Sequence, residues 1–471
     1  MFSPNATVII DRDKIRQALF PTESGPIIRS RLQNDWYKLS MGAFIHRFYP
    51  DVNVTFGYKN RSSHIHLAKE IDEADLRREL DHAQSLMYTE DDVRYLANIR
   101  NDGNYMFSDE YLTYLGTSKL PEYDLGITDE GRQFSFKTSA LWNDVTDWEI
   151  LYLQIVSALR TEALMKKLSK EKRDEVVEYT AKALEQKILT LRQHPYVIFS
   201  DFATRRAASP MLQCYIDFLM LEYLRRGQFI GTSNTLYAKE LQTMPSGTNA
   251  HELPMVVAAL AASIGSDADL REAPIKVLRQ WKQMYGWGLS IILPDTFGSD
   301  WMFKNLPREF AKEWKGMRPD SMDIYEFGEK LIRFYEKHDQ DSRDRLMIPS
   351  DSLNLDSMIA ITNQFQSRIK VSSGWGTLLG NDTSLGHPSI VAKAVAAGKW
   401  PTVKLGDNLA KAIGPEKEVE RYKRVFDYTN QTSIECQCYP TQRNNKGRVI
   451  IDDPPIFYTF GKPLCRHSKP R

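Results

Sequence analysis

Three chemically active side chains, Asp201, Arg205 and Arg206, fall within the stretch FSDFATRRAAS (199–209), directly after the apolar run YVIF. Two adjacent guanidinium groups can hold a carboxylate or a phosphate through forked, two-bond contacts. An apolar run followed by a small, polar cluster recurs in GQFIGTSN, LSIILPDTFGSD, LMIPSDSLN and IKVSSGWGT. These clusters bring Asp295 and Asp351, and KGMRPDSMD adds Arg318 and Asp320. Carboxylates so placed suit sugar hydroxyls or Mg2+. In SSGWGT, Gly374 and Gly376 sit around a turn with Ser and Thr377 hydroxyls, which lets backbone N–H groups close on a phosphate. His251 follows the small-residue loop SGTN, where a neutral imidazole could act as a base or accept a phosphoryl group. Glu252 is its neighbour in sequence, and adjacent residues do not face each other on a helix. Together these residues imply a small anionic substrate beside a phosphorylated sugar, with a metal-bridged anionic leaving group.

Strand ends are where barrel and doubly wound folds place such residues. Between the runs lie patterned helices. Ser209 and Pro210 form an N-cap and first helical position, followed at helical spacing by Leu212, Tyr215, Ile216, Leu219 and Tyr223, with Gly227 as the stop. YEFGEKLIRFYEKH and LDSMIAITNQF follow, the latter capped by Asn354. This is the grammar of a parallel α/β fold, and five strand ends within ~180 residues favour a barrel over an open sheet. Upstream, VNVTFGY (52–58) and RQFSFKTSALW (132–142) read as strands around a helical stretch, and from about residue 148 the chain turns strongly helical. Downstream, AAGKWP reads as an antiparallel hairpin outside the barrel. The tail from about 431 is irregular and has no assigned role.

A net charge of +1 leaves no electrostatic footprint for nucleic acid or an acidic membrane. The longest apolar stretch, LPMVVAALAAS (253–263), is short of the ~20 residues that span a bilayer. The N-terminus lacks a basic segment followed by a long apolar one, so a secretory signal is not expected. Four cysteines make no disulfide framework, and Cys436-x-Cys438 without a second pair is a weak zinc signature. The chain reads as a cytoplasmic protein with reduced thiols and no protein-held metal.

NDWYKLSMG (34–42), SDFATRRAAS, GTSN, PSGTNAHE, PDTFGSD, MRPDSMD, PSDSLN, SSGWGT and VKLGDN occur in one order, from about residue 30 to about 415. In these motifs the chain resembles nicotinate phosphoribosyltransferase. The resemblance implies an α/β fold: an irregular α/β barrel (151–384) with a second, mixed α/β domain built from N-terminal (1–150) and C-terminal (about 385–430) segments, and an irregular tail, 431–471. It implies that nicotinate displaces pyrophosphate from 5-phosphoribosyl-1-pyrophosphate, giving nicotinate mononucleotide, the first step of NAD salvage from nicotinate. ATP hydrolysis is coupled through a phosphohistidine, and Mg2+ rides on the pyrophosphate. Family members form homodimers in which the N-terminal tyrosine reaches a neighbour's active site.

Carried onto this chain, the resemblance places Tyr37 and Phe202 on either side of the pyridine ring, with Arg205 on the carboxylate and Ser233 near it. Relatives preferring nicotinamide carry an aspartate at the serine position, which repels a carboxylate. His251 becomes the phosphorylated residue, Arg318 and Asp320 hold ribose and ring, Asp351 the sugar hydroxyls, and Gly374, Gly376 and Thr377 the 5′-phosphate. Ala203 and Met322 replace the family's usual glycines, and Leu253 and Ser373 its usual aromatics. Two other readings stay open: a non-catalytic relative that keeps the pockets, and a nicotinamide-preferring enzyme of the same fold.

Overall fold

The alternating side chains of Asn53–Asn60 bury Val54 and Phe56 (1% and 0% exposed) and make this segment the centre of an antiparallel sheet. The computed structural model describes residues 7–22 and 25–429; the Cys436-x-Cys438 pair and the tail 431–471 lie outside the described residues. The sheet runs Trp400–Pro401, Ile390–Ala397, Asn53–Asn60, Gln133–Leu141, Tyr123–Thr128. Its central strand pairs with a segment from the far end of the chain, Val54 opposite Ala397 and Asn60 opposite Ile390, with a bulge between Thr55 and Phe56. The expected hairpin is present, Ala397 pairing with Trp400, and it extends this sheet.

The helical stretch between the first strands is two helices, Glu73–Ser85 and Glu90–Ala97. The second starts at a capping box in which Thr89 and Asp92 satisfy each other's backbone N–H groups. From 148 two long helices follow, Trp148–Lys167 and Lys170–Gln193, separated where Ser169 caps the second. Every residue from Trp148 to Thr161 is buried, Glu149 included. A helix apolar all round belongs in a core, and this one packs against the strand Ile390–Ala397.

The runs after residue 195 form parallel strands. One sheet is ordered Ser373–Trp375, Phe199–Asp201, Phe229–Thr232; the other Lys370–Val371, Leu346–Met347, Gly316–Met317, Ile291–Ile292. The expected barrel is thus two parallel sheets, not one closed ladder. A single segment, 370–375, serves both: Ser372 N donates to Met347 O, and Ser373 N to Ile198 O. At the other side no ladder joins Phe229–Thr232 to Ile291–Ile292. A loop lies there, with Ser246 N donating to Thr232 O (2.8 Å) and Asn249 Nδ2 to Ile291 O (3.2 Å). The strand Gly316–Met317 has no apolar run behind it and was not visible as one.

Helix starts match their sequence signals. Ser209 Oγ accepts from Leu212 N (3.1 Å), with Pro210 as the first residue of Pro210–Tyr223. Asn354 and Ser357 form a capping box for Leu355–Phe365. The first of these helices stops at Tyr223, short of Gly227, whose φ of +86° serves the following turn.

Candidate active site

Asp201 ends its strand by turning the chain. One carboxylate oxygen accepts from Ala203 N (2.8 Å), a short Asx-type turn that leads into Thr204–Arg206. The other accepts from Thr232 Oγ1 (2.8 Å) and Gln213 Nε2 (2.5 Å). Asp201 is 1% exposed, and burial pushes its carboxyl up to about 6. It is a strut between two strand ends, not the open carboxylate for hydroxyls or Mg2+ that its position suggested. Asp295 is likewise buried, accepting from Ser321 Oγ (2.6 Å).

The turn presents Phe202, Arg205 and Arg206. A Cβ on Gly374 would lie 2.3 Å from two Phe202 ring carbons, so this glycine is what lets the ring sit at the strand end. Gly376 lies over the Phe202 backbone, its Cβ position 3.6 Å from Phe202 O, and Thr377 begins a short helix after it. Ala203 has φ −85°, which any residue adopts, and Met322 is not among the described residues with positive φ, so neither position demands a glycine. Arg206 Nε is buried without a hydrogen-bond partner, and burial, then Arg205, pull its guanidinium down to about 10.

Tyr37 comes from the other end of the chain. Trp36 N donates to Ser233 O (2.6 Å), and Asp35 bridges to Asn234, which pins the helix Trp36–Phe48 onto the loop after Phe229–Thr232. Tyr37 is an electrostatic neighbour of Arg205 in the same chain, and its hydroxyl is buried without a partner. The tyrosine expected to serve a neighbouring subunit therefore sits in its own chain's loop cluster.

Ser233 Oγ donates to Asp35 Oδ1 at 2.6 Å and lies 3.0 Å from Thr204 Oγ1. Position 233 itself carries no carboxylate, and the Asp35 carboxyl stands behind its hydroxyl. Burial pushes the Asp35 carboxyl up, against Ser233 and Arg205.

Behind Arg205 is a buried ion cluster. Glu149 Oε1 is 3.4 Å from Arg205 Nη1 and 2.8 Å from Lys393 Nζ; its Oε2 is 2.8 Å from Lys38 Nζ. Lys38 Nζ also meets Glu252 Oε2 at 2.6 Å, and Glu252 Oε1 accepts from Trp142 Nε1 and Thr146 Oγ1, both 2.6 Å. Glu252 thus faces Lys38, not His251. Despite burial, Lys38, Lys393 and Arg205 hold Glu149 well below the usual carboxylate range. Arg205 is the most open member, with 31% of its side chain exposed.

His251 stands at the N-cap of Glu252–Ile264. Its Nδ1 is 2.9 Å from Thr296 Oγ1, and its Nε2 is 3.2 Å from Asp320 Oδ2 and 3.5 Å from Asp295 Oδ1. Burial, then Lys404, pull the imidazole below its ordinary value, so it is neutral at pH 7. Asp320 is held well below its ordinary value, against burial, by Lys404, His251 and Arg318. Arg318 is fixed by Ser350 Oγ (3.2 Å) and Asn249 O (3.1 Å). Asp351 pairs with Lys411 (2.8 Å), which also donates to Asp320 O (3.3 Å). Arg205 and Arg206 both have Asp320 as an electrostatic neighbour.

The donor atoms of His251, Asp295 and Asp320 lie within 4.8 Å of one another. Lys404 Nζ is already there, 3.3 Å from Asp320 and 3.7 Å from Asp295. With an ammonium as counter-ion and an imidazole among the donors, the set does not fit a resident Mg2+. Asp35, Lys38, Glu149, Lys393 and Lys404 were not singled out from sequence, although three of them stand inside the motifs NDWYKLSMG and VKLGDN.

Residues 197–430 match the nicotinate phosphoribosyltransferase (NAPRTase) family, and residues 32–157 match the N-terminal domain of that family. Among solved structures, nicotinate phosphoribosyltransferase from Porphyromonas gingivalis is similar at 25% identity and a TM-score of 0.73, covering 85% of this chain and 100% of that one. Nicotinate phosphoribosyltransferase from Vibrio cholerae is similar at 27% identity and a TM-score of 0.75, covering 87% and 96%.

Proposed function

The chain belongs to the nicotinate phosphoribosyltransferase family, and from that premise we infer how its loop cluster joins nicotinate to 5-phosphoribosyl-1-pyrophosphate. The enzyme makes nicotinate mononucleotide with release of pyrophosphate, a step of NAD salvage. In our reading Arg205 takes the nicotinate carboxylate, Tyr37 and Phe202 stack on the pyridine ring, and Ser233 lies beside the carboxylate, oriented by Asp35. Arg318 and Asp320 hold the ribose, Asp351 its hydroxyls, and Gly374, Gly376 and Thr377 the 5′-phosphate. The transition state is a ribosyl cation parting from an anion. It needs no strong protein nucleophile; positioning and charge stabilisation carry the rate.

ATP is the coupled co-substrate in this reading, and neutral His251 accepts its phosphoryl group. The new charge then lies beside Arg318 and Lys404, at the pyrophosphate end of the cleft. Mg2+ enters as the counter-ion of pyrophosphate and ATP, held through phosphate oxygens. We read the two parallel sheets as arcs of one irregular barrel, closed through the 246–249 loop, with the antiparallel sheet as the core of the second domain. We keep the homodimer and the cytoplasm as its setting, with Tyr37 supplied in cis. No described helix is long and apolar enough to cross a membrane.

The observation that supports this most is that His251 reaches Asp320 at 3.2 Å while the part-exposed Arg205 feels the same carboxylate electrostatically. The test is nicotinate mononucleotide formation by the purified protein, with and without ATP, alongside incubation with γ-labelled ATP. Turnover of nicotinate and an acid-labile label that His251→Ala abolishes are expected. Label that survives in His251→Ala rules out this histidine as the acceptor. Turnover of nicotinamide alone rules out the acid preference.

Gly374→Ala is expected to push the Phe202 ring aside. Losing one aromatic stacking contact costs about 0.5–1.5 kcal/mol, so the KM for nicotinate should rise roughly twofold to tenfold. An unchanged KM would put the ring outside the pyridine pocket.

A further inference from the structure

Lys393 lies on the strand Ile390–Ala397, opposite Gly57, and reaches Glu149 at 2.8 Å. It was read from sequence only as part of a hairpin, and nothing in the catalytic reading uses it. The cluster it completes holds three cations (Lys38, Lys393, Arg205) and two carboxylates (Glu149, Glu252), with the Asp35 carboxyl as an electrostatic neighbour of Arg205 and Glu149. Lys38, Glu149 and Glu252 are nearly sealed, with 0%, 1% and 2% of their side chains exposed. Arg205, with 31% of its side chain exposed, is where the cluster can meet a ligand.

We propose that Lys393 sets the preference for a pyridine acid over its amide, by drawing Glu149 away from Arg205. This rests on the reading that Arg205 receives the pyridine carboxylate. A pyridine carboxylate competes with Glu149 for the Arg205 guanidinium and gains when Lys393 takes up that carboxylate; a neutral amide gains far less. Without the Lys393 ammonium, the Glu149 oxygen now shared with Lys393 (2.8 Å) and Arg205 (3.4 Å) is left to Arg205 alone, which weakens the guanidinium's attraction for an anion. Lys393 is a positioning residue, since it works through Glu149.

Glu149, Arg205 and Lys38 act on Lys393 directly, while Glu252 and Tyr37 act on Lys38 and Asp35 acts on Arg205. Burial, helped by Arg205 and Lys38 and opposed by Glu149, pulls the Lys393 ammonium down to about 8. The sign follows: below pH 8 the ammonium is present and binding is tight, and as pH rises through 8 it is lost and binding weakens. Nicotinate stays ionised throughout.

The experiment compares wild type, Lys393→Met and Lys393→Arg as purified full chains, with nicotinate and nicotinamide, at saturating 5-phosphoribosyl-1-pyrophosphate and ATP. Lys393→Met should raise the KM for nicotinate at least tenfold at pH 7, with a much smaller change in kcat and in the KM for nicotinamide. Wild-type kcat/KM for nicotinate, which reports the free enzyme, should fall above about pH 8. Lys393→Arg should keep the affinity and lose that fall. Equal losses for acid and amide, an unchanged nicotinate KM in Lys393→Met, or a pH profile shared by wild type and Lys393→Arg would overturn the proposal. Calorimetric titration with nicotinate repeats the comparison without turnover. Tight binding that needs Lys393 but yields no mononucleotide would defeat the enzyme reading and leave this proposal standing.

Discussion

Arg205→Ala should bind nicotinate 30-fold to several-thousand-fold more weakly, with little change toward nicotinamide. The range is about 2–5 kcal/mol, the cost of truncating one partner of a desolvated, hydrogen-bonded charge pair. Two effects add. The ligand loses a two-pronged donor, and Glu149 loses a cation 3.4 Å away, at a site with only 1% exposure. The second effect means the empty pocket also becomes more negative and repels the acid. Arg205→Lys should recover part of the charge but not the fork, so it should sit between the two. Equilibrium titration with both pyridines measures this directly. Equal weakening for the acid and the amide would place the carboxylate elsewhere, with Arg206 as the nearest candidate.

Lys38→Met should lower stability by about 3–5 kcal/mol, the usual penalty for breaking a buried ion pair from one side. Lys38 Nζ lies within 2.8 Å of both Glu149 and Glu252 and is itself 0% exposed, so two carboxylates lose their nearest cation at once. In thermal denaturation at pH 7 this should appear as a fall in Tm of roughly 3–6 °C. Adding Glu252→Gln should restore part of it by removing one stranded charge. The pH dependence has a fixed sign. Glu149 is held below its ordinary value, so in the wild type its contribution is present above about pH 4.5 and is lost as pH falls toward its folded value. The gap between the two proteins should therefore narrow in acid. Equal melting temperatures at pH 7 would show that the cluster does not hold the two ends of the chain together.

Which features were legible follows from how far each signal reaches along the chain. Ser209–Pro210, Asn354–Ser357 and the Ala397–Trp400 hairpin are local arrangements, and their residue types state them outright. The strand end at 199–201 was visible because an apolar run stops at a polar cluster, whereas Ser373–Trp375, expected as part of a turn, is a strand paired with Phe199–Asp201. Gly316–Met317 was not visible, because two residues carry no period. The break in the ladder was hidden for a related reason: five similar runs say nothing about where the ladder is interrupted, and here a loop at 246–249 lies between the two parallel sheets. The ionic core of the site was hidden for two reasons. Glu149 lies on a helix so apolar that a lone carboxylate reads as its solvent edge, whereas its partners Lys38, Arg205 and Lys393 come from three distant segments. The Asp35–Ser233 bond spans 198 positions, and no spacing rule reaches that far.

The pairing of Asn53–Asn60 with Ile390–Ala397 also matters while the polypeptide is being made. The early strand can zip to Gln133–Leu141 soon after it leaves the ribosome. Its second edge must wait for about 330 further residues, roughly 20–70 s at ordinary translation speeds of ~5–20 residues per second. Throughout that interval the nascent chain carries a bare row of N–H and C=O groups flanked by Val54 and Phe56, a template for pairing with other chains. A holding chaperone, or slow release of the N-terminal half from the exit tunnel, would protect the yield of active protein more than any change to the finished core.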